Sequence, residues 1–173
     1  MKSKLYLLFL FLSITISAQE IMSVKGTKTY KATPAWNFIS TNYASAGEIQ
    51  VQIAKNENGG ILKLSAKSNN PQFIISGTIY IYLSDNSYIA CTDKGLFENS
   101  DSQLTSYFIF TAAEMNKLKK SDIESIRFNI KGKSNHFSSP TGNFTAKNQK
   151  SYYSTTFEKN TNIFETAKAI NAL

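Results

Sequence analysis

Apolar and polar residues alternate along much of the chain. Ile49, Val51 and Ile53 are separated by Gln50 and Gln52, and Leu62, Leu64 and Ala66 by Lys63 and Ser65. A repeat of two sends successive side chains to opposite faces, so each run predicts a strand with one wet face. Between them, Asn56-Glu57-Asn58-Gly59-Gly60 gathers turn-forming residues and predicts an antiparallel hairpin. Residues 104–110 read as a further strand, and Ile126, Phe128 and Ile130 alternate with Arg127, Asn129 and Lys131 in another. Residues 152–157 read as a last strand. The stretches 23–33, 93–102 and 132–149 are polar and read as connections.

A second hairpin is more informative. Residues 78–83 and 87–92 flank Ser84-Asp85-Asn86. A three-residue loop sets Tyr82 opposite Tyr88, Tyr80 opposite Ala90, Ile81 opposite Ile89 and Ile79 opposite Cys91. A two-residue loop sets Leu83 opposite Tyr88 and mixes the faces. Register decides which side chains share a surface, so the odd loop is expected, with Asn86 at its left-handed position. The ribbon then has an aliphatic face (Ile79, Ile81, Leu83, Ile89, Cys91) and a tyrosine face (Tyr80, Tyr82, Tyr88).

Helical signals are few. Thr111-Ala112-Ala113-Glu114 is a capping box, and Ala112, Met115 and Leu118 form a stripe behind it. Asn162 with Glu165 predicts a cap for a terminal helix carrying Ile163, Phe164, Ala167 and Ile170 on one side. Together these features predict an α+β fold: an antiparallel sheet of six to eight strands with one or two short helices packed on it.

The first residues change the picture of where the chain goes. Lys2 and Lys4 precede an apolar run from Leu5 to Leu12, extended to Ile16, and Ser17-Ala18 supplies small residues before Gln19-Glu20. This is the pattern of a secretory signal peptide over residues 1–18. The run falls short of the about 18 to 20 residues that spanning requires. Residues 19–173 are then a single exported domain, periplasmic or secreted, with no membrane span. Removing 18 of 173 residues leaves 155, enough for one core.

Composition narrows the chemistry. There is one His (His136), one Cys (Cys91) and one Arg (Arg127). No disulfide closes within one molecule, and neither a zinc set nor a cofactor motif is visible, so no metal, cofactor or catalytic residue is assigned. Basic groups outnumber acidic ones, 19 to 12, and the excess lies in the C-terminal third as Lys117, Lys119, Lys120, Lys131, Lys133, Lys147 and Lys150. A solvated lysine surface explains this. Attraction to an anionic surface or polyanionic glycan is the functional reading. With one Arg for bidentate contacts, no nucleic-acid partner is expected.

Several pieces carry a resemblance. They are the run from Gly77 to Asp85, Ile89-Ala90-Cys91-Thr92-Asp93-Lys94-Gly95, Phe110-Thr111 with Glu114 and Leu118, and Ile123 with Ile126-Arg127-Phe128. In these the chain resembles uncharacterised small secreted proteins of Bacteroidota, over roughly residues 34–131. The Ser17-Ala18-Gln19 leader end is similar to that phylum's exported proteins. The resemblance implies an exported bacterial protein and supplies no activity or site residues.

The remaining candidates divide into bland and functional readings. Cys91 falls on the aliphatic face and reads as a buried thiol rather than a nucleophile. His136 reads as a surface residue. Asp93, Glu98 and Asp101 provide the carboxylates that a small hydrolase of an envelope glycan would need, or hard donors for calcium, although solvation explains them as well. Asn143-Phe144-Thr145 matches a glycosylation acceptor by chance. Tyr80, Tyr82 and Tyr88 are the binding candidates, because tyrosines offer flat apolar area with a polar tip. Their alternative is coverage by a helix or second sheet. The expected function is a non-enzymatic binding or structural module of the cell envelope, its partner a protein or a glycan.

Overall fold

The computed structural model describes residues 19–25, 28–40, 47–100, 102–132, 141–151 and 162–173. The expected signal peptide, the strand at 152–157, His136, Asp101 and Lys133 lie outside the described residues. In chain order the strands are β1 (Glu20–Val24), β2 (Lys28–Ala32), β3 (Trp36–Ser40), β4 (Glu48–Asn56), β5 (Gly59–Lys67) and β6 (Phe73–Ile75). They continue with β7 (Ile79–Leu83), β8 (Tyr88–Ser100), β9 (Gln103–Thr111), β10 (Ile123–Gly132) and β11 (Gly142–Lys147). The helices are α1 (Ala112–Leu118) and α2 (Thr166–Asn171).

Eight strands close on themselves in the order β3-β4-β5-β9-β8-β7-β10-β11, and β11 returns to β3 through Ala146↔Ser40 and Lys147↔Ile39. Every pairing is antiparallel. Three further strands lie off the ring. The β1–β2 hairpin attaches to β4 by the single bridge Ala32↔Ala54, and β6 pairs with the far end of β10. The expected open α+β sheet is therefore corrected to a closed β-barrel, with helices of only 7 and 6 residues. Alternation is identical in an open and a closed sheet, so the period of two could not distinguish them.

The predicted inward faces of the strands point into the barrel, whereas of the helical stripes Met115, Leu118 and Ile170 are buried, Ala112 is exposed, and Ile163 and Phe164 precede α2. Ile49, Val51 and Ile53 of β4 meet Leu62, Leu64 and Ala66 of β5. Phe108, Phe128, Phe38 and Trp36 fill the middle. At eight strands a barrel is just wide enough for side chains to fill it, and this one is filled. Among the described residues no helix is long and apolar enough to cross a membrane. On β7 and β10 the wall has its apolar side inward and Tyr, Arg, Lys and Ser outward, the reverse of a transmembrane barrel's alternation.

The helices plug one end. α1 begins at the predicted capping box: Glu114 N–H donates to Thr111 Oγ1 at 3.3 Å, and Thr111 N–H to Glu114 Oε2 at 2.7 Å. Met115 and Leu118 then enter the core. Gly59 and Gly60 make room for this plug. At Gly59, with φ +145°, a Cβ would stand 2.2 Å from the Phe110 carbonyl oxygen, and at Gly60 it would stand 2.3 Å from the Phe110 ring. α2 is not capped by Asn162. Glu165 occupies the cap without a side-chain hydrogen bond. Asp122 Oδ1, from the connection between α1 and β10, accepts from Ala167 N–H at 2.8 Å instead. The buried Thr166 hydroxyl accepts from Ile123 N–H at 2.8 Å, and Asn148 ties down Phe164 through both its side-chain atoms.

Three expected connections are strands. Residues 23–33 contribute to β1 and β2, β8 runs on to Ser100, and β11 forms inside the segment read as loop. Each carries too few apolar residues to announce itself. β11 buries only Phe144 and Ala146, and a partner supplies the rest of its stabilisation.

Candidate functional site

The β7–β8 hairpin adopts the register expected from its sequence, Tyr82↔Tyr88, Ile81↔Ile89, Tyr80↔Ala90 and Ile79↔Cys91. Asn86 has φ 65°, the left-handed conformation the three-residue loop demands. The tip is fastened from outside. Ser84 N–H donates to Asp122 O at 2.9 Å, and the Ser121 hydroxyl donates to Asp85 Oδ2 at 2.8 Å. The nearby Ser87 hydroxyl, the Ser87 N–H that donates to Asp85 Oδ1 at 2.9 Å, and then the Ser121 hydroxyl hold the Asp85 carboxyl down at about 2.

The tyrosine face lies on the outer wall, and none of the described residues covers it. Tyr80, Tyr82 and Tyr88 are 37%, 36% and 58% exposed, far above their aliphatic neighbours Ile79, Ile81 and Leu83 at 0%. Their rings cluster: Tyr88 stands 6.2 Å from Tyr80 in an edge-on arrangement and 6.3 Å from Tyr82. This is the geometry aromatic pairs prefer, so the three form one surface. Arg127 on β10 sits directly across from Tyr80, and Ser125 across from Tyr82. Alternation marks Arg127 as a polar member of its strand and does not single out Ser125. The signal that marks Arg127 is cross-strand register with a tyrosine, which no single segment contains.

The other candidates are placed elsewhere. Cys91 points into the barrel and is fully buried, as its register implies. Burial, and secondarily the Glu114 carboxylate, pushes its thiol well above the ordinary range, so the reactive thiolate is disfavoured. Asp93 is committed to the backbone. Its Oδ2 accepts from Gly77 N–H and its Oδ1 from Gly95 N–H, each at 2.7 Å, which pins the irregularity in β8 between Asp93 and Leu96. Glu98 stands opposite Thr105 and acts instead on Tyr107, whose hydroxyl burial first, then this carboxylate, push up to about 12. The two acids thus serve different neighbours. Asn143 projects outward on β11 and its Oδ1 accepts from Asn129 Nδ2 at 3.2 Å. Among the described residues no group of three His, Cys, Asp or Glu side chains is placed to hold a metal ion.

The C-terminal lysines are divided. Lys117, Lys119 and Lys120 belong to α1 and the turn after it, Lys150 lies 5.5 Å over the Phe164 ring, and Lys131 and Lys147 share the outer wall with Arg127. An open groove of about 390 Å³, lined by Glu124, Ser125, Lys147, Gln149 and Asn162, adjoins the tyrosine face through Ser125. A second groove of about 780 Å³ runs between β2 and the β4–β5 turn, past Lys28, Lys31 and Lys55.

Fold and site together define a small closed antiparallel barrel with an aromatic and cationic patch on its outer wall. No family model matches the chain, and neither a curated protein nor a solved structure was found to be similar to it.

Proposed function

We propose that this protein is a non-enzymatic binding module of the bacterial cell envelope, exported through its amino-terminal leader and engaging a partner through Tyr80, Tyr82 and Tyr88. The observation that carries the reading is the exposure of all three rings as one cluster on a wall whose tip is held by Asp85 and Ser84. Rigid aromatic area lets a partner bind without ordering loose side chains. The leader pattern of residues 1–18 supports the export, and the commitment of Asp93 to backbone donors supports a role without catalysis.

The test is a nuclear magnetic resonance titration of the mature chain against soluble oligosaccharides and short peptides of varied charge. The expected result is a shift of the Tyr80, Tyr82 and Tyr88 ring signals by at least one probe, lost in the Tyr82→Ala, Tyr88→Ala double variant. Binding that maps only to the groove beside Lys28, Lys31 and Lys55, or no shift of the tyrosine rings by any probe, overturns the reading.

A further inference from the structure

The chain's one arginine and two of its C-terminal lysines reach the wall that carries the tyrosines. Alternation on β10 sends Ser125, Arg127, Asn129 and Lys131 outward while Ile126, Phe128 and Ile130 go in. On β11 it sends out Asn143, Thr145 and Lys147. Registers then align two rows across the barrel. One runs Tyr88, Tyr82, Ser125, Lys147, and the other Ala90, Tyr80, Arg127, Thr145. Each row begins on the β7–β8 ribbon and reaches a cation one or two strands from a tyrosine.

Charge there is unevenly spread. The strands β7, β10 and β11 contain Arg127, Lys131 and Lys147 against one carboxylate, Glu124, which sits at the register shift beside Ser125. Strand β8 adds Lys94 with Asp93 and Glu98, the first acid held by the Gly77 and Gly95 N–H groups and the second beside Tyr107. Arg127, Lys131 and Lys147 are all exposed. Strand rise puts Arg127 and Lys131 about 13 Å apart along β10, and Lys147 lies on the neighbouring strand, about 5 Å away in the pairing direction.

We propose that the occupant of the tyrosine face is an anionic glycan, a chain of sugars bearing carboxylates; this rests on the reading of that face as the binding surface. The apolar C–H side of a sugar ring stacks on a tyrosine, and its carboxylate meets the Arg127 guanidinium, whose fork matches it with two parallel hydrogen bonds. Lys147 and Lys131 serve the next charges. The groove past Ser125 offers the carboxamides of Gln149 and Asn162, which donate to and accept from hydroxyls. An acidic peptide is a poorer fit. It would gain most by adding a strand, yet at Tyr80, Tyr82 and Arg127 the strands β7 and β10 are paired on both sides and present no edge there.

The mature chain is titrated by calorimetry and nuclear magnetic resonance with oligogalacturonate, and in parallel with a neutral malto-oligosaccharide, oligoglutamate and oligothymidylate. Oligogalacturonate is expected to bind, to shift the tyrosine rings, and to weaken as salt rises. Arg127→Gln is expected to weaken it about tenfold or more, and Lys147→Gln less, with unchanged circular dichroism. Tighter binding of the neutral sugar, the peptide or the oligonucleotide at the same tyrosines overturns the anionic glycan and leaves the tyrosine surface standing. So does an affinity for oligogalacturonate that neither Arg127→Gln nor Lys147→Gln lowers. If no probe moves the tyrosine rings, the binding surface itself is wrong and the glycan falls with it.

Discussion

Two outer walls of the same barrel have opposite fates. Over β4, β5 and β9 the β1–β2 hairpin lies as a second layer, and Met22, Val24, Ala32, Ala54, Ile61 and Tyr107 form a buried cluster outside the main core. Over β7, β8 and β10 nothing described lies on Tyr80, Tyr82 and Tyr88. Both walls present aromatic rings, so aromatic content does not decide coverage. The covered wall sets aliphatic Ile61 and small Ala54 beside Tyr107, whose hydroxyl donates to Ser23 O at 3.3 Å, and it buries a Ser65–Thr105 hydroxyl pair at 2.8 Å. Such a wall is costly to leave wet and has its polar atoms satisfied under cover. The tyrosine wall keeps its hydroxyls in water and its charged neighbours solvated, so it tolerates exposure.

Mutation should separate the walls. Met22→Ala deletes most of a side chain that is 1% exposed and should cost about 2–5 kcal/mol in denaturant unfolding. Tyr88→Ala removes two ring contacts from an exposed site and should cost about 0.5–1.5 kcal/mol. Equal losses would make the tyrosines a structural layer and erase the contrast.

An effect between these two sharpens it. Thr105→Val leaves the Ser65 hydroxyl buried without its partner and should cost about 1–3 kcal/mol, largely recovered when Ser65→Ala is added. If the double variant is no better than the single one, the hydroxyl pair is not what the hairpin protects.

The last effect appears only in alkali. Tyr107 has its pKa raised from 10.0 to about 12 in the folded protein. Between those values the unfolded chain releases the proton while the folded one retains it, so stability should fall as pH rises from about 10 to about 12. Below pH 10 the residue should contribute no pH dependence. Thermal melts of Tyr107→Phe should lack that part of the decline, and an unchanged alkaline slope would place its origin elsewhere.

Much of this molecule was legible where neighbours along the chain are also neighbours in space. The β7–β8 register follows from matching Tyr82 with Tyr88 and Ile79 with Cys91 around a loop that needs Asn86 in a left-handed conformation. The Thr111–Glu114 cap is equally local. The cap of α2 is not, because Asp122 reaches it from more than forty positions upstream. Nor is β11, which becomes a strand by finding β10 and β3 on its two sides.

Alternation along each segment dictates which side chains face inward; where the expected wet face is instead covered, at Gln52 and Ser65, hydrogen bonds to Glu20, Thr33 O and Thr105 satisfy the buried polar groups. Closure of the barrel, the cloaking of one outer wall and the meeting of Arg127 with Tyr80 depend instead on which strands come to lie side by side. Those pairings join residues tens of positions apart, and they are selected by the free energy of the whole packed chain rather than by any stretch of it.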